Sequence, residues 1–308
     1  MPGYENHAGF NISSSKLQVV EVNYVNDQFR LVNVNEVNFD EQINFDSISE
    51  NQLSALIQGA FDELQTKKRL NSKTISFTLP FELFYTMQIP YDNSLLYQDL
   101  IEEFKWEMSV LYPFISPNNL VLQYSEIEKN IFFDSNMVLV FAMQRKYLEI
   151  LDNFCKRNNL KLKFVDNIHM AAERSLSISN ALHYKGLTLS VYLNKKFLSL
   201  FFAYNSKPIL YKVIPLNDQS EITEHLIRET SKFAILRIER TQIEAAFISG
   251  EDVSHDLLQI LKKVLGLDFI HFNPFDKIRP IPELYESKLY LEKSNSFSAA
   301  AGIAFRIA

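Results

Sequence analysis

Only seven glycines occur in the 308 residues, at positions 3, 9, 59, 186, 250, 266 and 302. Average usage of about 7% would give about 21. Glycine is the residue that opens positive φ and lets a backbone approach a ligand closely. Its scarcity therefore restricts the loops this chain can build. No two glycines stand close enough to form a G-x-G-x-x-G turn or a P-loop, which weakens any reading as a glycine-loop nucleotide enzyme.

Apolar periodicity sets the order of elements. Residues 9–22 and 29–37 read as strands, the first interrupted by a turn of three serines and a lysine, Ser13-Ser14-Ser15-Lys16. Residues 47–64 read as a helix with Ser49 at its N-cap and Leu53, Leu56, Ile57, Ala60, Phe61 and Leu64 on one face. Strands are expected at 74–80 and 83–90, a helix at 95–111, strands at 120–128 and 137–144, a helix at 145–158 and a strand at 160–166. A helix at 168–182 precedes three strands within 187–216. A helical segment at 219–240, a strand at 243–249, a helix at 253–265, a strand at 268–272 and a small-residue C-terminal helix complete the chain. Strand hairpins thus open each half and helices follow, the pattern of an α/β protein with two related lobes and an extra module inserted in the first.

Composition removes several classes of function. A net charge of −6 argues against nucleic-acid binding. The short basic run Lys67-Lys68-Arg69 reads as the solvated end of a helix, favoured by the helix dipole. The single cysteine, Cys155, allows no disulfide within the chain and reads as a small buried hydrophobe. The opening MPGYENHAGF lacks the basic and apolar regions of a signal peptide, and the longest apolar runs fall short of the roughly 20 residues of a membrane helix. A cytoplasmic location is expected. The six histidines show no zinc spacing. The pairs Glu102-Glu103 and Glu251-Asp252 read as solvated helix residues, and the serines lack a G-x-S-x-G context. Trp106 reads first as part of a helix face packed on strands, with the lip of a partner groove as the alternative.

Several separated stretches resemble one family. Gly9-Phe10-Asn11-Ile12-Ser13-Ser14-Ser15-Lys16-Leu17-Gln18-Val19-Val20-Glu21-Val22 is similar to the opening hairpin of the type IV pilus assembly PilM family, which is FtsA-related and part of the actin-like ATPase superfamily. Leu79-Pro80, Ile89-Pro90, Tyr112-Pro113-Phe114 and Val165-Asp166 with Ala171 and Ala172 follow in the family's order. The stretch IEAAFISGEDVSHDLLQILKKVLGLDFIHFNPF and the ending AAAGIAFR complete the likeness, which spans nearly the whole chain.

The resemblance implies a two-lobed actin-like fold, a duplicated ribonuclease H-like architecture with an inserted small α/β module. Residues 1–73 and 164–186 would form the first lobe and 74–163 the module. Residues 187–308 would form the second lobe, with the C-terminal helix a candidate to pack back on the first.

The resemblance also places a nucleotide site at Asn11, Ser13, Ser14, Ser15, Lys16, Ser249, Gly250 and Glu251, and there the chain departs from the family. Asn11 replaces an aspartate that helps to place Mg²⁺, and a neutral amide is a poorer partner for a hard cation. Ser13 replaces a glycine and Gln18 a lysine. The turn Tyr192-Leu193-Asn194-Lys195-Lys196 lacks the second-lobe Asp and Gly. Ser249-Gly250 stands for a Gly-Gly and is followed by Glu251 and Asp252, which would repel phosphates if they pointed inward.

The resulting expectation is a non-enzymatic scaffold with no cofactor. It would bind the N-terminal cytoplasmic peptide of a PilN-like inner-membrane protein, and other platform proteins, in a type IV pilus or type II secretion-like machine. It would have no membrane span of its own. The alternative is an ATP- and Mg-binding switch or slow ATPase, with an anion site at Ser14, Ser15 and Lys16.

Overall fold

A computed structural model describes residues 6–25, 28–178, 184–218, 220–231, 239–251 and 253–306. The chain opens with strands β1 (His7–Ile12), β2 (Lys16–Val25) and β3 (Gln28–Asn38), helix α1 (Glu50–Lys67) and strand β4 (Thr74–Leu79). Next come β5 (Phe84–Pro90), α2 (Tyr97–Leu111), β6 (Leu120–Ile127), β7 (Met137–Gln144), α3 (Arg145–Arg157), β8 (Lys161–Asn167) and α4 (Ile168–Ile178). The second half holds β9 (Leu187–Leu193), β10 (Phe197–Tyr204), β11 (Lys207–Pro215), α5 (Glu221–Glu229), β12 (Ile243–Gly250), α6 (His255–Leu265) and β13 (Phe269–His271). It closes with β14 (Arg279–Pro280), α7 (Lys288–Glu292) and α8 (Ser298–Ala304).

The same topology occurs twice. In the first sheet β1, β2 and β3 form an antiparallel meander, and β4 then β8 add parallel on the β1 side. In the second sheet β9, β10 and β11 form the meander, and β12 then β13 add parallel on the β9 side. Helices α1 and α5 make the equivalent crossovers. β5, β7 and β6 pair as a separate antiparallel sheet.

This pairing narrows the inserted module. β4 and β8 belong to the first sheet, and Tyr147, Ile150, Leu151 and Phe154 of α3 pack in the first-lobe core. The separate sheet therefore occupies 84–144, inside the expected 74–163. Buried apolar strands such as β4 read alike whichever sheet they join. The C-terminal helix packs back on the first lobe, the alternative the resemblance had left open: α8 lies on the first sheet, where Ala300, Ala301 and Ala304 meet Val20, Val22 and Leu31, and β14 extends that sheet beside β3. Of the helix expected at 219–240, Glu221–Glu229 is helical, while 219 and 232–238 lie outside the described residues, as do 179–182 of the helix expected at 168–182.

Local chemistry explains the elements. Ser49 caps α1, its hydroxyl accepting from Gln52 N–H while Gln52 Oε1 accepts from Ser49 N–H. The basic run at the end of α1 binds the first sheet: Lys67 donates to the Glu36 carbonyl and Lys68 to that of Val32. Cys155 is buried, and desolvation, with Asp152 adding, pushes its thiol up to about 12, so it behaves as a small hydrophobe.

β1 shows how the first lobe is assembled. Its even residues, Ala8, Phe10 and Ile12, enter the core beneath α1 and α3, where Phe10 stacks on Phe77 at 5.3 Å. Its odd residues, His7, Gly9 and Asn11, lie on the opposite face. His7 Nδ1 donates to the Ala304 carbonyl, and Nε2 accepts from the Ser76 hydroxyl, both at 2.8 Å. Burial lowers the His7 pKa to about 4; the Ala304 bond opposes this and the Lys163 charge adds to it.

Gly9 and Gly302 set the spacing of β1, α8 and α4. A Cβ on Gly9 would overlap the Ala300 carbonyl, and one on Gly302 the Ala171 carbonyl. Gly59, on the exposed side of α1, has nothing near it. Gly9→Ala and Gly302→Ala are expected to destabilise the protein by about 2–3 kcal/mol each through overpacking. Gly59→Ala is expected to stabilise it by up to ~1 kcal/mol through helix propensity. Urea denaturation of the three variants measures both signs.

Candidate functional site

The β1–β2 turn of the first lobe and the β12 end of the second face each other across the cleft between the lobes. Within the first turn, Ser13 Oγ accepts from the backbone N–H of Ser15 and of Lys16, each at 3.3 Å. The Ser14 and Ser15 carbonyls accept from Ile43 N–H and Phe39 N–H, which fixes the following loop against the hairpin.

Every sequence-selected residue of this hairpin with a functional side chain, apart from Ser14, is paired within the protein. Asn11 is fully buried; its amide donates to Gln18 Oε1 at 3.0 Å and its Oδ1 accepts from the Thr78 hydroxyl at 2.8 Å. Asn11 and Gln18 sit directly opposite in the β1–β2 register. Lys16 Nζ is 3.1 Å from Glu36 Oε2, which also accepts from Gln18 Nε2 at 3.1 Å. Burial alone would raise the Glu36 pKa, but Lys16, Gln18 and Lys293 overcome it and hold the carboxyl below its usual range. Sequence reasoning did not single out Glu36; its signal was an acid in the middle of an otherwise apolar, amide-rich strand, VNVNEVN.

From the second lobe, Glu251 Oε2 accepts from Ser15 Oγ at 3.0 Å, so a carboxylate bridges the two lobes at the hairpin. Gly250 lies at φ 132°, and a Cβ there would overlap the Leu193 carbonyl, which also accepts from Glu251 N–H. This glycine serves strand packing and aims Glu251 at the cleft. Ser249 is buried beside Tyr192 in the β12–β9 ladder. Asp252 lies outside the described residues. The second hairpin turn falls at Asn194–Lys196, where Asn194 Oδ1 accepts from the N–H groups of Lys196 and Phe197. The asparagine side chain closes its own turn, with no glycine or aspartate needed to form it.

The electrostatics disfavour phosphate. Burial raises the Glu82 pKa, and the charges of Asp46 and Glu251 add to this against Glu82's own backbone bond and Lys196. Glu82 Oε2 and Glu251 Oε1 are buried without hydrogen-bond partners. Lys16 is neutralised by Glu36. These residues do not fit a nucleotide triphosphate with Mg²⁺: the cation side offers an amide already paired at both ends, and the anion side offers carboxylates. Among the described residues no group of three or more His, Cys, Asp or Glu side chains is placed to hold a metal ion.

A second concavity lies between the module and the first lobe. Phe84, Val121, Phe141, Val165, Met170 and Arg174 line a cavity of about 120 Å³. β8 is the outer strand of the first sheet here, and β6 the outer strand of the module. Asp166 accepts from Arg174 at 2.9 Å and from Arg306 at 3.1 Å, and Arg306 stacks over Phe164 at 4.2 Å. Asn167 Oδ1 accepts from His169 N–H and the Tyr211 hydroxyl, while its Nδ2 is buried without a partner.

Comparison with solved structures interprets this geometry. A PilM–PilN type IV pilus biogenesis complex matches with a TM-score of 0.77 and 19% identity, covering 99% of this chain and 99% of the matched chain. A Bacteroides thetaiotaomicron protein of unknown function, described as having an actin-like ATPase fold, matches with a TM-score of 0.58 and 12% identity over 98% of this chain and 96% of its own. The fold is the actin-like ATPase fold. No protein-family model matches the chain, and no curated protein does. In this frame Ser15 of the first lobe and Glu251 of the second close on each other across the cleft between the two sheets.

Removing Glu36 strands Lys16 in a partly buried setting, and removing Lys16 leaves the buried Glu36 carboxylate with only Gln18 and the more distant Lys293. Glu36→Gln and Lys16→Met are each expected to cost about 3 kcal/mol, and the double variant less than the sum of the two. Because the folded Glu36 pKa is lowered, its contribution is present above the usual carboxylate range and disappears as pH falls through the folded pKa. Denaturation from neutral pH into the acid range should show this slope in the wild type and lose its Glu36 component in Glu36→Gln.

Proposed function

We propose that the chain is a PilM-like, non-enzymatic scaffold of a type IV pilus or type II secretion-like assembly platform. In this reading it holds the cytoplasmic tail of a PilN-like membrane protein and reaches the inner membrane through that partner. The observation that carries it is the internally paired cleft. Hydrogen bonds that a nucleotide would make are made by Glu251, Glu36, Gln18 and Thr78. The likeness to PilM in a PilM–PilN complex supports the choice of partner. Among the described residues no helix is long and apolar enough to cross a membrane; in the proposed reading the partner supplies the membrane attachment.

The groove between β6 and β8 is the proposed seat of the tail. An extended peptide can pair its backbone with a free strand edge and place alternate side chains in pockets. The groove offers two outer strands, an apolar lining, and an Asn167 amide N–H lacking an acceptor, which a peptide carbonyl would supply. Lys207–Glu128 and Gln88–Ile209 contacts tie the module to the second lobe and fix the groove's outer wall.

Calorimetric titration with a synthetic peptide of the N-terminal cytoplasmic tail of a PilN-like protein from the same organism tests the reading. Saturable binding is expected, weakened more than about tenfold by Val121→Glu or Met170→Glu, since each buries a charge in the groove. Absence of binding, or binding indifferent to both variants, would contradict it.

A further inference from the structure

The sheet of the module gives one face to α2, whose buried stripe is Leu100, Phe104 and Met108. Trp106 lies off that stripe and is 61% exposed, which overturns its expected packing on strands. The other face turns inward. Leu139 and Phe141 meet Phe201, Ala203 and Tyr211 of the second lobe, and Met170 of α4 packs against the same cluster. Phe141 and Met170 also line the groove between β6 and β8, so that groove is backed by the second lobe.

A second cavity, of about 230 Å³, continues the groove along α4. Met170 and Arg174 line both cavities. Met170, Arg174 and Ser177 recur at helical spacing, so one side of α4 is the wall that carries the first cavity into the second. Opposite stand Thr188 of β9, Phe201 and Ala203 of β10 and Phe247 of β12, all from the second sheet. Arg174 is fixed in the shared wall, donating to Asp166 at 2.9 Å and to the Gly302 carbonyl at 3.4 Å. Two groups beside this wall lack partners of opposite kind. Asn167 is 2% exposed and its Nδ2 has no acceptor, while Glu173 Oε1, 3.7 Å from His169 Nε2, is buried with no donor. An extended backbone presents carbonyls and N–H groups in alternation and supplies both.

Resting on the tail reading above, we propose that the bound tail does not end in the β6–β8 groove: it crosses Met170 and Arg174 and seats an apolar side chain between α4 and the second sheet. The occupant follows from the continuity of the two cavities through one wall and from the complementary unpaired groups beside it. From Met170 to Ser177 the helix rises about 10 Å, so about three further residues of extended chain reach the second cavity. Phe201, Ala203 and Phe247 make the far wall apolar, which selects an aliphatic or aromatic side chain, and Glu173 and Arg174 keep the near wall polar. A tail seated in both cavities touches the module, the first lobe and the second lobe at once. Binding then adds a tether between the lobes to the contact of Ser15 with Glu251.

Calorimetry of the whole tail peptide against forms shortened from each end by about three residues tests the extension. One shortened form is expected to bind about tenfold more weakly than the whole tail and to remain sensitive to Val121→Glu. Ser177→Arg and Thr188→Arg fill the second cavity from half-buried positions. Each should weaken the whole tail about tenfold and leave that shortened form within about twofold. On the wild-type protein, a benzophenone placed at each end of the tail in turn should crosslink from one end to the segment 187–206, which decides the matter if a variant fails to fold. Whole-tail binding that is lost with Val121→Glu but indifferent to both arginine variants, with no crosslink to 187–206 from either end, would overturn the extension and leave the groove reading standing. No binding of any tail peptide would overturn the groove reading and the extension together.

Discussion

Helix α8 can lie against β1 and α4 only because Gly9 and Gly302 carry no side chain, and the joining of the two lobes follows from that seating. α4 leaves the first sheet toward the second, and α8 returns from the second to the first. Asn295, just before α8, donates to the carbonyls of Ile248 and Phe272 in the second lobe. Just after α8, Arg306 reaches Asp166 at the end of β8. His7 closes the same contact at the Ala304 carbonyl, and its neutral state keeps a charge out of the interior. A chain with so little glycine places two of its seven where three backbones converge.

The same economy shapes the cleft. Positive φ is taken by Asn159, Asn205 and Ser206 as well as by Gly250 and Gly266. Gly250 serves the meeting of β12 with β9 and leaves Glu251 facing Ser15. Lys16 is held by Glu36, and Asn11 by Gln18 and Thr78. Apart from Ser14, each polar side chain of the hairpin that a nucleotide would draw on is satisfied by a neighbour, and Glu82 and Glu251 leave unpaired carboxylate oxygens in the cleft. A buried polar group that already has its partner gains little from a ligand and loses a hydrogen bond in accepting one. The cleft is thereby a joint between lobes, which is what the proposed scaffold role requires.

Much of the fold was legible in the sequence. Each strand of the two meanders shows as a short run of β-branched and aromatic residues, and the Ser49-x-x-Gln52 cap marks the start of α1. The actin-like fold followed from the order of motifs. The module's edges were not legible, because sheet membership of β4 and β8 depends on pairing partners far away in sequence. The outward direction of Trp106 was hidden because α2 carries apolar residues on more than one face. In the cleft, the replacements at Asn11, Ser13 and Gln18 could be read directly, but their mutual pairing needed the β1–β2 register. The Lys16–Glu36 and Ser15–Glu251 contacts join residues 20 and 236 positions apart, which no local pattern encodes.

A cleft whose hairpin side chains are already paired leaves ATP few partners. Titration of the purified protein with ATP and Mg²⁺, by calorimetry and thermal shift together, tests it most directly. No heat of binding and no shift in melting temperature at millimolar ATP are predicted. Saturable binding in the micromolar range, with a matching rise in melting temperature, would contradict it.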